Sequence, residues 1–132
     1  MKTYPLYLNG EFVASEPAWD VVNPASGEAF AKISTIDRAR LAQAIADAHA
    51  AFPAWRALTA KARGEFLRRI ASELERRRDE IARLISSENG KPLAQSLGEI
   101  GMTVDHLQWF AEEGRRAYGR MIPPQIDRKS VV

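Results

Sequence analysis

A change of hydrophobic period near residue 35 constrains this chain more than any other feature of it. Before that point apolar residues come in short runs broken by turn formers; after it they recur every three or four positions as far as residue 118. "TYPLYLNGEFVAS" sets Asn9-Gly10 between two apolar-aromatic runs. Both residues tolerate the positive φ of a type I′ turn, so this segment is expected to be a β-hairpin. "WDVVNPASGEAFAKIS" repeats the design around a looser turn, Asn23-Pro24-Ala25-Ser26-Gly27. The two hairpins read as scaffold, and about four helices follow them.

The helical part divides at its own signals. Leu41, Ile45, Ala48 and Phe52 keep one helical spacing, with Asp37 in the first turn and Pro53 expected to end the helix. Thr59 is a natural N-cap for a second helix whose inner face reads Ala62, Phe66, Leu67, Ile70 and Leu74. Ile81, Leu84 and Ile85 mark a third. A fourth starts near Pro92, a favoured first-turn residue, and carries a stripe of Leu93, Leu97, Ile100, Val104, Leu107, Ala111, Gly114 and Tyr118. Gly98, Gly101 and Gly114 each weaken a helix interior by about 1 kcal/mol relative to Ala, so they are expected where backbones pack closely.

Composition excludes several kinds of function. The net charge is only +2, too small to call for nucleic acid or a membrane surface. No cysteine is present, which removes disulfides, thiolate metal sites and a cysteine nucleophile from this chain. Residues 1–10 lack the apolar core of a signal peptide and no run approaches spanning length, so a soluble, cytoplasmic protein is expected.

Few motifs carry chemistry. In "SSENGKPLAQSLGEI" the Gly90-Lys91 pair invites a phosphate-loop reading, but a phosphate loop needs several glycines after a strand and a Ser or Thr after the Lys. Here one glycine follows a helical pattern and Pro92 follows the Lys. Asn89-Gly90 fits a left-handed helix C-cap instead, and the stretch reads as a joint between helices. Glu112 and Glu113 are adjacent and cannot converge as an acid/base pair on a helix. His106 has no second histidine at metal spacing. Arg76-Arg77-Arg78 lies among Glu73, Glu75, Asp79 and Glu80, the pattern of a solvated helical face. Trp55, Trp109 and Phe110 fall on helical stripes and read as core.

Taken in order, "YLNGEFV", "VVNPASGEAFAKIS", "AAFPAWRALTAKARGEFLRRIASELERRRDEIARLISSENGKPL", "GEI" and "WFAEEGRRAYGRMIPP" resemble the N-terminal part of the aldehyde dehydrogenase superfamily. The resemblance covers essentially the whole chain. "WFAEEGRRAYGRMIP" followed by a basic strand is similar to the succinate-semialdehyde dehydrogenase group.

The resemblance implies an α/β fold, mostly helical in this portion, with hairpins over 4–33 and helices over 36–118 forming the first part of an NAD(P)-binding domain. Residues 119–132 are then the start of a strand leading into the oligomerisation region, and the catalytic domain is absent. The implied reaction is hydride transfer from a thiohemiacetal to NAD or NADP, with a small aldehyde as substrate, no nucleic acid or membrane partner, and a homo-oligomer as the assembled form. No catalytic or cofactor-binding residue of that machinery is expected within this chain. The apparent strand in "RKSVV" is expected to continue, with a Pro-Trp-Asn segment and a reactive cysteine further along. Three residues match family positions. The carbonyl of Val22 and the carboxylate of Glu88 correspond to ligands of a monovalent cation, the alternative for Glu88 being a plain acid at a helix end. Met102 corresponds to a substrate-tunnel position, the alternative being ordinary packing. A stand-alone helical interaction module remains as a second class; it accounts for the helices and leaves the hairpins unexplained.

Overall fold

The computed structural model describes residues 1–15, 17–122 and 130–131. The first hairpin pairs β2 (Leu6–Leu8) with β3 (Glu11–Val13), opposing Leu6 to Val13, Tyr7 to Phe12 and Leu8 to Glu11. Asn9 and Gly10 both take positive φ, 48° and 88°, as a two-residue type I′ turn demands. The second hairpin joins β4 (Ala18–Val22) to β5 (Ala29–Ser34), with a slip in register between Val21 and Val22. A further strand, β1 (Lys2–Tyr4), pairs in parallel with β5 and completes a three-stranded sheet of order β1-β5-β4. Three residues with no turn signal of their own gave no sequence cue for it.

Four helices follow. Asp37 is the N-cap of α1 (Arg38–Ala57) rather than a first-turn acid, and its carboxylate accepts from the Arg40 N–H at 2.7 Å. Pro53 does not end this helix, which runs one turn past it to Ala57. A proline removes a single backbone donor and crowds the preceding turn, and so close to the C-terminus the helix tolerates both. Thr59 caps α2 (Ala60–Arg76) through its hydroxyl, which accepts from the Ala62 N–H at 3.2 Å. α3 (Arg78–Asn89) ends on Gly90 at φ 81°, where its N–H returns to the Ser86 carbonyl at 2.8 Å. α4 (Leu93–Glu113) has Pro92 as its N-cap, and a short 3-10 turn, Gly114–Arg116, closes it. Tyr118 therefore lies beyond the helix whose stripe it was expected to extend, and it is exposed. Met121–Ile122 (β6) and Ser130–Val131 (β7) pair antiparallel, while residues 123–129 and 132 lie outside the described part.

Packing centres on α2 against α4, with α3 laid on α4. Among the described residues the buried positions of these helices are small, Gly64, Ala71, Ala82, Ser96 and Ala111, with Ile100 the one large aliphatic. Gly64 is what lets α2 and α4 meet. A Cβ built there would sit 2.7 Å from the Ala111 carbonyl oxygen. The close approach thus belongs to α2, whereas Gly98 and Gly101, expected to serve it, have open space where a Cβ would lie. Ser86 and Ser96 join α3 to α4 through a 2.8 Å hydroxyl contact.

The inner face expected for α2 is only partly inner. Gly64 and Ala71 are buried, while Phe66 and Ile70 are 42% and 50% exposed. Trp55 stands edge-on to Phe66 at 5.4 Å between ring centres, so the aromatic pair lies outside the helical core. α1 buries none of its residues, and Ile45 and Phe52 are largely open. Trp109 and Phe110, expected in a core, are about three-fifths exposed. Helical spacing identifies a stripe, but burying it requires a neighbour, and the described residues place none there.

Candidate functional site

The β4–β5 turn docks on the joint after α3, and two of the residues matched to family positions lie in the chain just before that contact. The turn is built by Asn23. Its backbone carbonyl accepts from the Gly27 N–H at 2.8 Å, its side-chain oxygen accepts from the Ala25 N–H at 2.9 Å, and its own N–H donates to the Glu28 carbonyl at 2.9 Å. Gly27 takes φ 74° to close it. Pro24 projects onto Gly90 so closely that a Cβ there would lie 2.9 Å from the Pro24 Cγ. The absence of a side chain at Gly90 therefore serves both the left-handed cap and the docking of the turn.

Val22 and Glu88 flank this contact, two residues before Pro24 and Gly90 respectively. Val22 ends β4 and is half exposed; Glu88 lies in the last turn of α3, is exposed, and forms no ion pair among the described residues. A hard cation favours carbonyl and carboxylate oxygens, the two donor types these residues offer. Among the described residues no group of three or more His, Asp or Glu side chains gathers in metal-binding fashion. Lys91, the residue that raised the phosphate question, is turned to Glu99 of α4 in an ion pair. The joint is architecture, as read from its residues.

Met102 lies mid-way along α4 with 59% of its surface open. On the same helix His106 is exposed and shares no site with another histidine. Glu113 is committed to Arg116 at 2.7 Å, which raises the pKa of the guanidinium, while Glu112 is solvated. The arginine run at the α2–α3 junction is neutralised locally. Arg76 pairs with Glu73 at 2.5 Å and Arg77 with Glu80 at 2.7 Å; Arg78 approaches Glu75 at 3.9 Å. Hydrogen bonds from these guanidinium groups hold the Glu73 and Glu80 carboxyls below the ordinary value and raise Arg76 and Arg77. With each arginine answered by an acid, this face offers no basic surface for phosphates. A groove of about 530 Å³ between Leu6, Trp19, Ile33 and Thr35 has Asp37 and Arg40 at its rim, but the Asp37 carboxylate is already used in capping α1.

This arrangement of two hairpins, a proline-docked joint and an α2–α4 pair is that of a large family's opening segment. The aldehyde dehydrogenase family model matches residues 12–132, and the chain belongs to that family, whose members are oxidoreductases. A glutarate-semialdehyde dehydrogenase of Pseudomonas putida is 42% identical over 129 residues, covering 96% of this chain and 27% of that protein. The NADP(+) succinate-semialdehyde dehydrogenase of Escherichia coli K12 is 41% identical, covering 95% of this chain and 27% of that one. Among solved structures, aldehyde dehydrogenase 21 of Physcomitrella patens, in complex with the reaction product succinate, superposes with TM-score 0.89 at 35% identity over 96% of this chain and 26% of its own. The chain spans about a quarter of the length of the curated relatives it matches. No helix of the described residues is long and apolar enough to cross a membrane.

Proposed function

We propose that this chain is the N-terminal portion of an NAD(P)-dependent aldehyde dehydrogenase that oxidises a short acidic aldehyde, succinate semialdehyde first among them, to the carboxylic acid. One observation carries the reading. The family match runs through residues 12–132 at a quarter of the relatives' length, in a sequence that contains no cysteine. The thiolate and the cofactor-binding groups then belong to the remainder of the protein, and this portion supplies scaffold. Relatives named for glutarate semialdehyde, succinate semialdehyde and 3-sulfolactaldehyde share an aldehyde carried on a short anionic chain, which supports the substrate class.

Within that reading, residues 1–118 form the first part of the NAD(P)-binding domain and 119–132 lead towards a subunit-pairing region of a cytoplasmic homo-oligomer. The Val22 carbonyl and the Glu88 carboxylate are two ligands of a monovalent cation completed by residues elsewhere in the protein. Met102 lines the approach to the aldehyde, where a flexible thioether suits an apolar wall.

The test replaces the corresponding quarter of the Escherichia coli succinate-semialdehyde dehydrogenase with this chain. The chimera is expected to reduce NADP with succinate semialdehyde, and the chain alone to reduce neither nicotinamide cofactor. A well-assembled chimera inert towards succinate semialdehyde, glutarate semialdehyde and 3-sulfolactaldehyde overturns the reading. So does cofactor-dependent turnover by the chain alone.

A further inference from the structure

The chain has three asparagines, and the fold gives each a different chemical prospect. Asn23 precedes Pro24, whose nitrogen carries no hydrogen and cannot attack the side-chain amide. Asn89 precedes Gly90, but it closes α3 in helical geometry, and the Gly90 N–H is occupied by the Ser86 carbonyl at 2.8 Å. Asn9 also precedes a glycine. It sits exposed at the tip of the β2–β3 hairpin, and it is the one non-glycine with positive φ among the described residues. Among those residues the Gly10 N–H has no hydrogen-bond partner, and a Cβ at Gly10 would meet nothing within 4 Å. The open space beside Gly10 leaves room for the rotation that brings the Gly10 nitrogen to the Asn9 side chain.

We propose that Asn9 is a site of spontaneous deamidation, selected by the hairpin tip over the chemically equivalent Asn89. The Gly10 amide nitrogen gives its proton to solvent base and attacks Cγ of Asn9. The Nδ2 nitrogen takes a proton back from solvent, its bond to Cγ breaks, ammonia leaves, and a five-membered succinimide forms. Water then adds at either imide carbonyl, and opening gives aspartate or isoaspartate with no change of oxidation state. Either product adds a negative charge. The isoaspartate also lengthens a two-residue loop by one backbone atom, and loop length is what sets the Leu6–Val13 and Tyr7–Phe12 register. The tip is therefore a clock whose product loosens the hairpin, independent of how the rest of the protein acts.

The test is peptide mapping by tandem mass spectrometry of this chain within the assembled succinate-semialdehyde dehydrogenase chimera, aged at mildly alkaline pH and body temperature, with isoaspartyl methyltransferase as an independent probe. Asn9 is expected to convert to a mixture of aspartate and isoaspartate. Asn89 should convert at least about fivefold more slowly, the factor one intact hydrogen bond imposes on local opening. In denaturant the two rates should converge, because the dipeptides are then the same. The Asn9→Gly variant, which keeps a turn-compatible pair, should lose the methyltransferase signal from this peptide. Equal rates at Asn9 and Asn89 in the native protein, or an unchanged Asn9, overturn the proposal, as does a methyltransferase signal from the hairpin peptide that survives in Asn9→Gly.

Discussion

Replacing Gly90 with Ala tests the docking of the β4–β5 turn onto the α3–α4 joint. At φ 81° an alanine pays the left-handed penalty, about 1 kcal/mol or slightly more. Its Cβ would also sit 2.9 Å from the Pro24 Cγ, and the ring is held by a turn with three hydrogen bonds on Asn23, so relief means moving the turn. Forced overpacking of this kind costs about 1–3 kcal/mol. The lower entropy of the unfolded alanine chain returns about 0.4–1 kcal/mol. The net loss is about 2 kcal/mol, equivalent to a roughly thirtyfold rise in local opening. Hydrogen exchange at the amides of the α3 C-terminus reads this directly, because the Gly90 N–H is bonded to Ser86 and must break to exchange. Pro24→Ala removes Cγ and with it the clash, so the double variant should exchange more slowly than the two single effects predict. If Gly90→Ala exchanges within about twofold of the parent, less than one ordinary hydrogen bond is worth, the docking argument is wrong. It is also wrong if the double-mutant cycle shows no coupling.

Three further outcomes are expected. Gly64→Ala should destabilise the α2–α4 pair by about 1–3 kcal/mol despite its better helix propensity, because its Cβ meets the Ala111 backbone; Gly98→Ala, with open space, should raise helicity instead, and circular dichroism with urea titration of both variants checks the contrast. The Glu73 and Glu80 carboxyls, lowered by hydrogen bonds from Arg76 and Arg77, contribute stability that is fully present above the ordinary carboxylate pKa and is lost as pH falls through their lower folded values; carbon-detected titration should find both midpoints below that of an ordinary glutamate, and midpoints at or above it would contradict the ion pairs. Exposed Phe52, Trp109 and Phe110 should make the isolated chain bind a hydrophobic dye and associate, whereas a monodisperse monomer with a sharp cooperative melt would favour the independent interaction module.

What the sequence determined by itself was local. Asn9-Gly10, Thr59 and Asn89-Gly90 specify their turn, cap and helix stop through the conformational limits of the residues involved, and all three stand where the sequence places them. The family was legible for a related reason, since an ordered string of such local devices is itself a signature. Asp37 and Pro53 were misread by a single helical turn at the boundary, where capping and the tolerance of the last turn decide. Tertiary structure alone decided which glycine is a contact, which face of α2 is inside, and that β1 closes a sheet on β5. It also decided that Trp109 and Phe110 face outward and that Pro24 rests on Gly90. The physical reason is common to all of these. A residue's own φ, ψ and hydrogen-bonding preferences act within a few positions along the chain, whereas burial and close approach are properties of a pair whose second member lies far away in sequence, as Ala111 does from Gly64.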